Sequence, residues 1–422
     1  MSMRHQQVAR RGAASIAPLG ILSAAIFLVA ADTRMIDPLL PLLADQFGTT
    51  VSDAALVVTA YAIPYGLLQL LYGPLGDRRG KLRVMAAAMA VFALGTGTCA
   101  LAPNFPALVF LRLLTGAAAA AIFPLALAYI GDTVPYAERQ AAIGRLLGVG
   151  ALGQILSASL GGVFGQFANW RGLFALCGVL AIPVAVVLRR GSGAVPVAAP
   201  ISPGQRCGIF APYRDLLCLA AARLVLGTVF LEGCLFFGTL AYLGAFLHER
   251  YALSFAFIGA IISGFGLGML VTSRALRPLL AGLGERGLIG TGGGLVASGF
   301  VLLALVQTSG LVVPLVILLG VGFSMLHTTL QTRATELAPT ARGVAIALFA
   351  FVVSIGQGLG AALVGRVVEQ LGYARVFALG GGAIGLLAVA LGLAWARLEQ
   401  PVAMVQPDVR MPASAPLGAT RR

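Results

Sequence analysis

The chain alternates long uncharged apolar runs with short basic connectors, and that alternation leaves few folds open. An apolar run of about twenty residues crosses a bilayer as helix, and in hydrocarbon a helix satisfies its own backbone hydrogen bonds. Twelve such runs can be marked, at roughly 16–43, 52–74, 84–102, 106–130, 141–166, 172–188, 215–247, 255–280, 288–306, 311–335, 342–368 and 373–397. Charged residues are only 10% of the 422, whereas soluble domains carry about 25%. The sequence therefore predicts an all-α membrane protein with twelve transmembrane helices.

Composition shifts after the sixth run. Arg189-Arg190-Gly191-Ser192-Gly193 opens a Pro/Ala-rich stretch that reads as a linker, 189–214. It separates a bundle at 16–188 from one at 215–397, with a tail at 1–15 and a disordered one expected over 398–422. An internal repeat supports six plus six. A shift of 203 lays Gly153-Gln154 on Gly356-Gln357 and Arg139 on Arg342; a shift of 204 lays Pro74 on Pro278. Two pseudo-symmetric bundles are the expected result, as in transporters built from related halves.

The net charge of +14 raises nucleic acid as a partner, but the basic residues fall in connectors between apolar runs. One side of the membrane receives 23 of the 29, including both termini and the stretch Gly73-Pro74-Leu75-Gly76-Asp77-Arg78-Arg79-Gly80-Lys81-Leu82-Arg83. The other side receives Arg171, Arg250, Arg366 and Arg375. By the positive-inside rule the first side is cytoplasmic. The lipid bilayer, not nucleic acid, is the expected partner, in the inner membrane of a bacterium. The five cysteines are scattered, the three histidines do not cluster, and no phosphate-binding loop is present. Metal and cofactor sites and ATP as energy source are not expected. No nucleophile–base pair marks an enzyme.

Ionisable groups at bilayer depth cost roughly 2.5–3.5 kcal/mol each on insertion scales, so each needs a reason. They are Asp32, Arg34 and Asp37 in the first run, Arg112 in the fourth and Glu232 in the seventh. Asp37 and Arg34 stand at i, i+3 spacing and can pair locally with no part in transport. Counting residues places Arg112 at about the depth of Asp37, and Glu232 without a partner nearby in sequence. Three acids against two arginines lean towards cationic or neutral substrates. Tyr61, Tyr65, Gln69 and Tyr72 recur at helical spacing, as do Ser324, His327, Thr328 and Gln331, while Gln154 and Gln357 are repeat mates. Such polar-aromatic stripes suit either interhelical hydrogen bonding or the lining of a pocket for a small organic molecule.

Twelve helices, a central linker and Gly73-x-x-x-Asp77-Arg78-x-Gly80-Lys81 between helices 2 and 3 together resemble the major facilitator superfamily. Arg112-x-x-x-Gly116 in the fourth helix matches a second signature. Asp37-Pro38-Leu39-Leu40-Pro41 looks like the first-helix motif of twelve-helix drug/proton antiporters. In the fifth helix the glycine-proline pair of those antiporters is missing, while the ladder Gly153, Ser157, Gly161 and Gly165 remains. The resemblance implies an alternating-access carrier, a monomer, exporting small organic compounds against protons. An importing symporter or facilitator of a sugar or other metabolite is the alternative, and a membrane enzyme or non-transporting sensor a more distant one.

The charges at bilayer depth and the polar-aromatic stripes suggest coupling and binding roles, and the resemblance implies a gate. Asp32, Asp37, Arg112 and Glu232 are candidates for proton coupling, with Arg112 facing an aspartate of the adjoining first helix. Tyr61, Tyr65, Gln69, Gln154, Glu232, His327, Gln331 and Gln357 are candidates for substrate binding. Gly73, Asp77, Arg78, Gly80, Lys81, Arg83 and Asp132 form a conformational gate, latching the two bundles near Gly343. The repeat copy of the gate carries Ala281 in place of Asp77.

Overall fold

The computed structural model describes residues 19–167, 169–192, 211–337 and 342–395. The predicted tails 1–15 and 398–422, and most of the linker, lie outside these. The described residues are helical apart from short turns and connectors, with no strand among them. Twelve spans are formed: α1 (Leu19–Phe47), α2 (Val51–Arg79), α3 (Lys81–Cys99), α4 (Phe105–Thr133), α5 (Tyr136–Gln166), α6 (Trp170–Gly191), α7 (Ala220–Tyr251), α8 (255–283), α9 (285–305), α10 (Ser309–Glu336), α11 (Arg342–Leu371) and α12 (Tyr373–Ala394).

Helix α8 and α9 are continuous but for Gly284, whose φ of 67° breaks the run. The chain folds back there. Gly264 of α8 and Gly299 of α9 both rest on the 313–319 stretch of α10. Gly80, at φ 90°, is the only residue between α2 and α3. These two glycines are exact mates at the 204-residue shift, and glycine bears a positive φ without a Cβ clash. Both turns are far tighter than the loops predicted, because helical structure runs through Arg79 and through 283. At the opposite end of the molecule, side chains cap the new helices. Thr50, Asn104, Asn169 and Ser254 accept backbone N–H bonds at the starts of α2, α4, α6 and α8, each such cap being worth about 1 kcal/mol.

Other boundaries also differ from the sequence reading. Helix α6 runs on to Gly191, and Ala211–Cys218 forms a short separate helix, so both ends of the predicted linker are helical. Extended backbone at Leu219 separates Asp215 from α7. Helix α1 breaks at Met35–Ile36, ahead of a 3-10 turn at Asp37–Leu39, since Pro38 and Pro41 lack the N–H a regular helix needs there. Helix α7 contains a π turn at Gly233–Phe237, directly after Glu232.

The repeat is visible in the packing. A Cβ at Gly153 of α5 would stand 2.7 Å from the Phe27 carbonyl of α1; one at Gly356 of α11 would stand 2.5 Å from the Phe230 carbonyl of α7. All four positions correspond at a shift of 203. The cores differ in filling. The second half stacks Phe236, Phe265, Phe300 and Phe323, with Phe236 and Phe323 centroids 4.5 Å apart. The first half packs Met85, Met89 and Phe92 of α3 among alanines.

The halves meet through α2 on α11 and α5 on α8. The Thr59 hydroxyl donates to the Gly358 carbonyl at 2.8 Å, and the Ser159 and Ser263 hydroxyls lie 2.7 Å apart. A Cβ on Gly162 would stand 2.9 Å from the Gly259 Cα. Small residues permit this closeness of backbones. These contacts occupy the half of the molecule remote from Gly80 and Gly284. Towards those turns, Gly73, Gly148 and Gly343 have open space where a side chain would stand. There the Tyr213 hydroxyl of the short helix reaches the Leu70 carbonyl at 3.5 Å.

Candidate functional site

Helix α1 presents Asp32 to Arg112 of α4. The Arg112 Nη1 donates to Asp32 Oδ2 at 2.6 Å, and Nη2 reaches the Asp32 carbonyl at 3.4 Å. Neither side chain is more than 1% exposed. The guanidinium lies 4.3 Å from the centre of the Tyr61 ring and 5.6 Å from that of Phe174. Gly116, one turn beyond Arg112 on the same face, accounts for the fourth-helix signature. A Cβ there would stand 2.8 Å from the Tyr61 carbonyl carbon, so glycine lets α2 bring Tyr61 under the arginine. Asp32 Oδ1, Arg112 Nε and the Tyr61 hydroxyl have no hydrogen-bond partner.

A second pair occupies the equivalent helices of the other half. His327 Nδ1 of α10 lies 3.0 Å from Glu232 Oε2 of α7. The imidazole is stacked on Phe323 at 4.7 Å and meets the edge of Phe349 at 5.1 Å, which holds the ring plane. Glu232 Oε1 is buried and unpartnered. Residue counting left Glu232 alone because its partner is 95 positions away on another helix. The paired halves are not superposable. Position 235 is the mate of Asp32, so the second carboxylate lies almost one turn nearer the start of its helix.

Asp37 takes no part in the Arg112 pair. Its Oδ2 accepts from Arg34 at 3.3 Å, as i, i+3 spacing allows, and Oδ1 is left without a partner. Counting residues sets Arg112 at about the depth of Asp37, but the acid its guanidinium meets is Asp32, with a break in α1 at Met35–Ile36 between the two acids. Arg34 is more than the local partner its spacing predicts: its guanidinium lies 4.3 Å from the centre of the Phe237 ring, on the other bundle. Arg34, Asp37 and Gln154 line a cavity of about 40 Å³ together with Ser263 and Met269. A single water needs about 10–15 Å³ on that measure, so the cavity suits water, not substrate.

The remaining binding candidates are dispersed. Tyr61 and Gln69 are buried within the packing and do not face open space, Tyr61 because it is clamped under Arg112. Tyr65 stacks on Tyr61 at 5.8 Å and is half-buried. Gln357 is half-buried and Gln331 exposed. Around Gly80, Lys81 bridges two carboxylates: Asp77 at 3.3 Å, one turn before it, and Asp132 at the end of α4. Arg78 and Arg83 are exposed. All these groups belong to the first bundle, and a Cβ placed on Gly343 would meet no described atom within 4 Å. Gly76, absent from the predicted set, is the position where α2 comes against Leu125 of α4.

Two repeated six-helix bundles, each with an acid–base contact between its first and fourth helices and a glycine turn between its second and third, define a membrane carrier of the two-bundle type. The comparisons agree. The sequence profile described as Major Facilitator Superfamily matches residues 22–361 and again 225–421, and the chain belongs to that family. It is a transporter of small solutes and not an enzyme. It is 30% identical to the uncharacterized MFS-type transporter YceJ of Bacillus subtilis over 59% of this chain, and that alignment spans 63% of YceJ's own length. It is 29% identical to the "Probable sugar efflux transporter" of Helicobacter pylori, over 82% of this chain and 87% of that one. A crystal structure of the nucleoside transporter NupG superposes with a TM-score of 0.76 at 17% identity, covering 89% of this chain and 98% of that one.

Proposed function

We propose that the protein exports small organic compounds across the bacterial inner membrane in exchange for protons, with the Asp32–Arg112 pair as the coupling element. The observation that carries this reading is the pair's burial across α1 and α4 with one carboxylate oxygen unpartnered. A proton arriving at Asp32 neutralises one side of the pair and releases Arg112 to Tyr61 and Phe174. Losing one partner of a buried pair changes helix–helix energy by about 3–5 kcal/mol, enough to bias two bundle arrangements. The Glu232–His327 pair offers a second such element in the other half. The sugar efflux name of one relative supports outward transport of small polar molecules. With the connectors of Gly80 and Gly284 in the cytoplasm, the packing at the far end corresponds to a carrier closed outside.

The test is flux in proteoliposomes. Ligands that shift the thermal unfolding of the purified protein are loaded into vesicles, and a pH gradient is imposed in either direction. Movement of ligand against the proton flow supports exchange. Movement with the protons indicates the symporter, and flux indifferent to every gradient overturns coupling.

A further inference from the structure

Beside the predicted gate stretch, α2, α3 and α4 enclose a lateral groove of about 720 Å³ that is separate from both acid–base pairs. Its mouth carries Arg78, Arg79 and Arg83, and its walls include Ala87, Val91 and Leu114. The hollow exists because alanines face one another on α3 and α4 where larger residues would fill it. The Tyr72 hydroxyl crosses it, donating to the Ala117 carbonyl at 3.0 Å. None of the three arginines has an ion-pair or hydrogen-bond partner among the described residues, whereas the neighbouring carboxylates Asp77 and Asp132 are both taken by Lys81. No acid lines the groove.

We propose that this groove binds one anionic phospholipid, its phosphate among Arg78, Arg79 and Arg83 and one acyl chain along Val91 and Leu114. The chemistry is two-part. Three unpaired guanidiniums at a helix end call for phosphate oxygens, which arginine binds with paired N–H groups. Val91 is 51% and Leu114 38% exposed, which calls for an apolar occupant as well. Arg83 to Val91 is eight residues of helix, about 12 Å, so the groove runs from the interface well into one leaflet of a core roughly 30 Å thick. A soluble anion satisfies only the first part. The repeat supplies an internal comparison: at the 204-residue shift the three arginines become Gly282, Leu283 and Gly287, with Arg277 and Arg286 at other positions nearby, so this arrangement of three is not repeated in the second half.

Native mass spectrometry of the detergent-purified protein tests this, using phosphatidylglycerol, phosphatidylcholine and glycerol 3-phosphate as probes. One phosphatidylglycerol is expected to be retained per chain, and phosphatidylcholine far less. At roughly 1 kcal/mol per interfacial cation, Arg79→Gln with Arg83→Gln weakens retention about thirtyfold. Ala87→Trp leaves every charge in place but fills the groove, and abolishes retention too. Equal retention of the two lipids, or retention unmoved by either variant, overturns the proposal. So does displacement of the lipid by glycerol 3-phosphate at equal concentration, which identifies a plain anion site.

Discussion

Arg112 holds Asp32 at 2.6 Å while its guanidinium rests on the Tyr61 ring, so three helices of the first bundle converge on one charge. Asp32 Oδ1 remains free of any bond. That oxygen can therefore take up a proton without first giving up a donor. Removing Arg112 leaves Asp32 buried without its counter-charge, a loss of about 3–5 kcal/mol if the acid stays ionised. Arg112→Ala is expected to abolish gradient-driven flux, with the protein still inserted. Replacing both partners, Asp32→Asn with Arg112→Gln, is expected to restore thermal stability without restoring coupling. A double-mutant cycle in melting temperature and flux measures both effects, and coupled transport in the alanine variant contradicts the role given to the pair.

Glu232 and His327 allow a different separation. Glu232→Gln keeps the shape and can still meet the imidazole, but it cannot release a proton. Exchange of labelled for unlabelled substrate is expected to persist in this variant while accumulation driven by a pH gradient falls. His327→Phe keeps the stack between Phe323 and Phe349 and leaves Glu232 without its bond, costing about 1–3 kcal/mol of stability. Loss of exchange and accumulation together in Glu232→Gln assigns the residue to substrate contact instead.

In the predicted gate stretch, Asp77 is about half exposed and bonded only to Lys81. Its replacement by asparagine disturbs neither buried pair. Asp77→Asn is expected to lower turnover with ligand affinity kept, as measured by transport rate beside equilibrium binding on the same preparation. A selective loss of affinity contradicts a gating role.

Much of this was legible in the chain. Apolar run length marks twelve spans, and an arginine or aspartate at bilayer depth marks itself by its cost. What residue spacing does not carry is partnership across helices. Glu232 and His327 each stood out, but nothing local joins positions 95 apart. The i, i+3 spacing of Arg34 and Asp37 did offer their pair, but pattern does not reveal which aspartate meets Arg112, nor the break in α1 ahead of Pro38. Gly80 and Gly284 show the same limit from the other side. Their equivalence is in the repeat, but the sharpness of both turns follows from helices that persist to the last residue before each glycine. The charged stretch looked like a loop because its residues are polar; its α2 part is the final turn of a helix.

The contact of α5 with α8 gives the last prediction. Gly162 and Gly259 allow the two backbones to touch, and the Ser159–Ser263 bond lies one turn further in. A tryptophan at Gly259 has no room beside the Ala158 carbonyl and Gly162, so closure at this end is blocked. The bundles are then expected to separate here and to close towards Gly80 and Gly284. Spin labels at Phe167 and Phe257, both exposed and on the ends of α5 and α8, report the change by electron–electron distance measurement in a cysteine-free background. Gly259→Trp is expected to lengthen that distance and to stop turnover while ligand still binds. An unchanged distance with turnover retained means that this helix pair is not where the carrier opens.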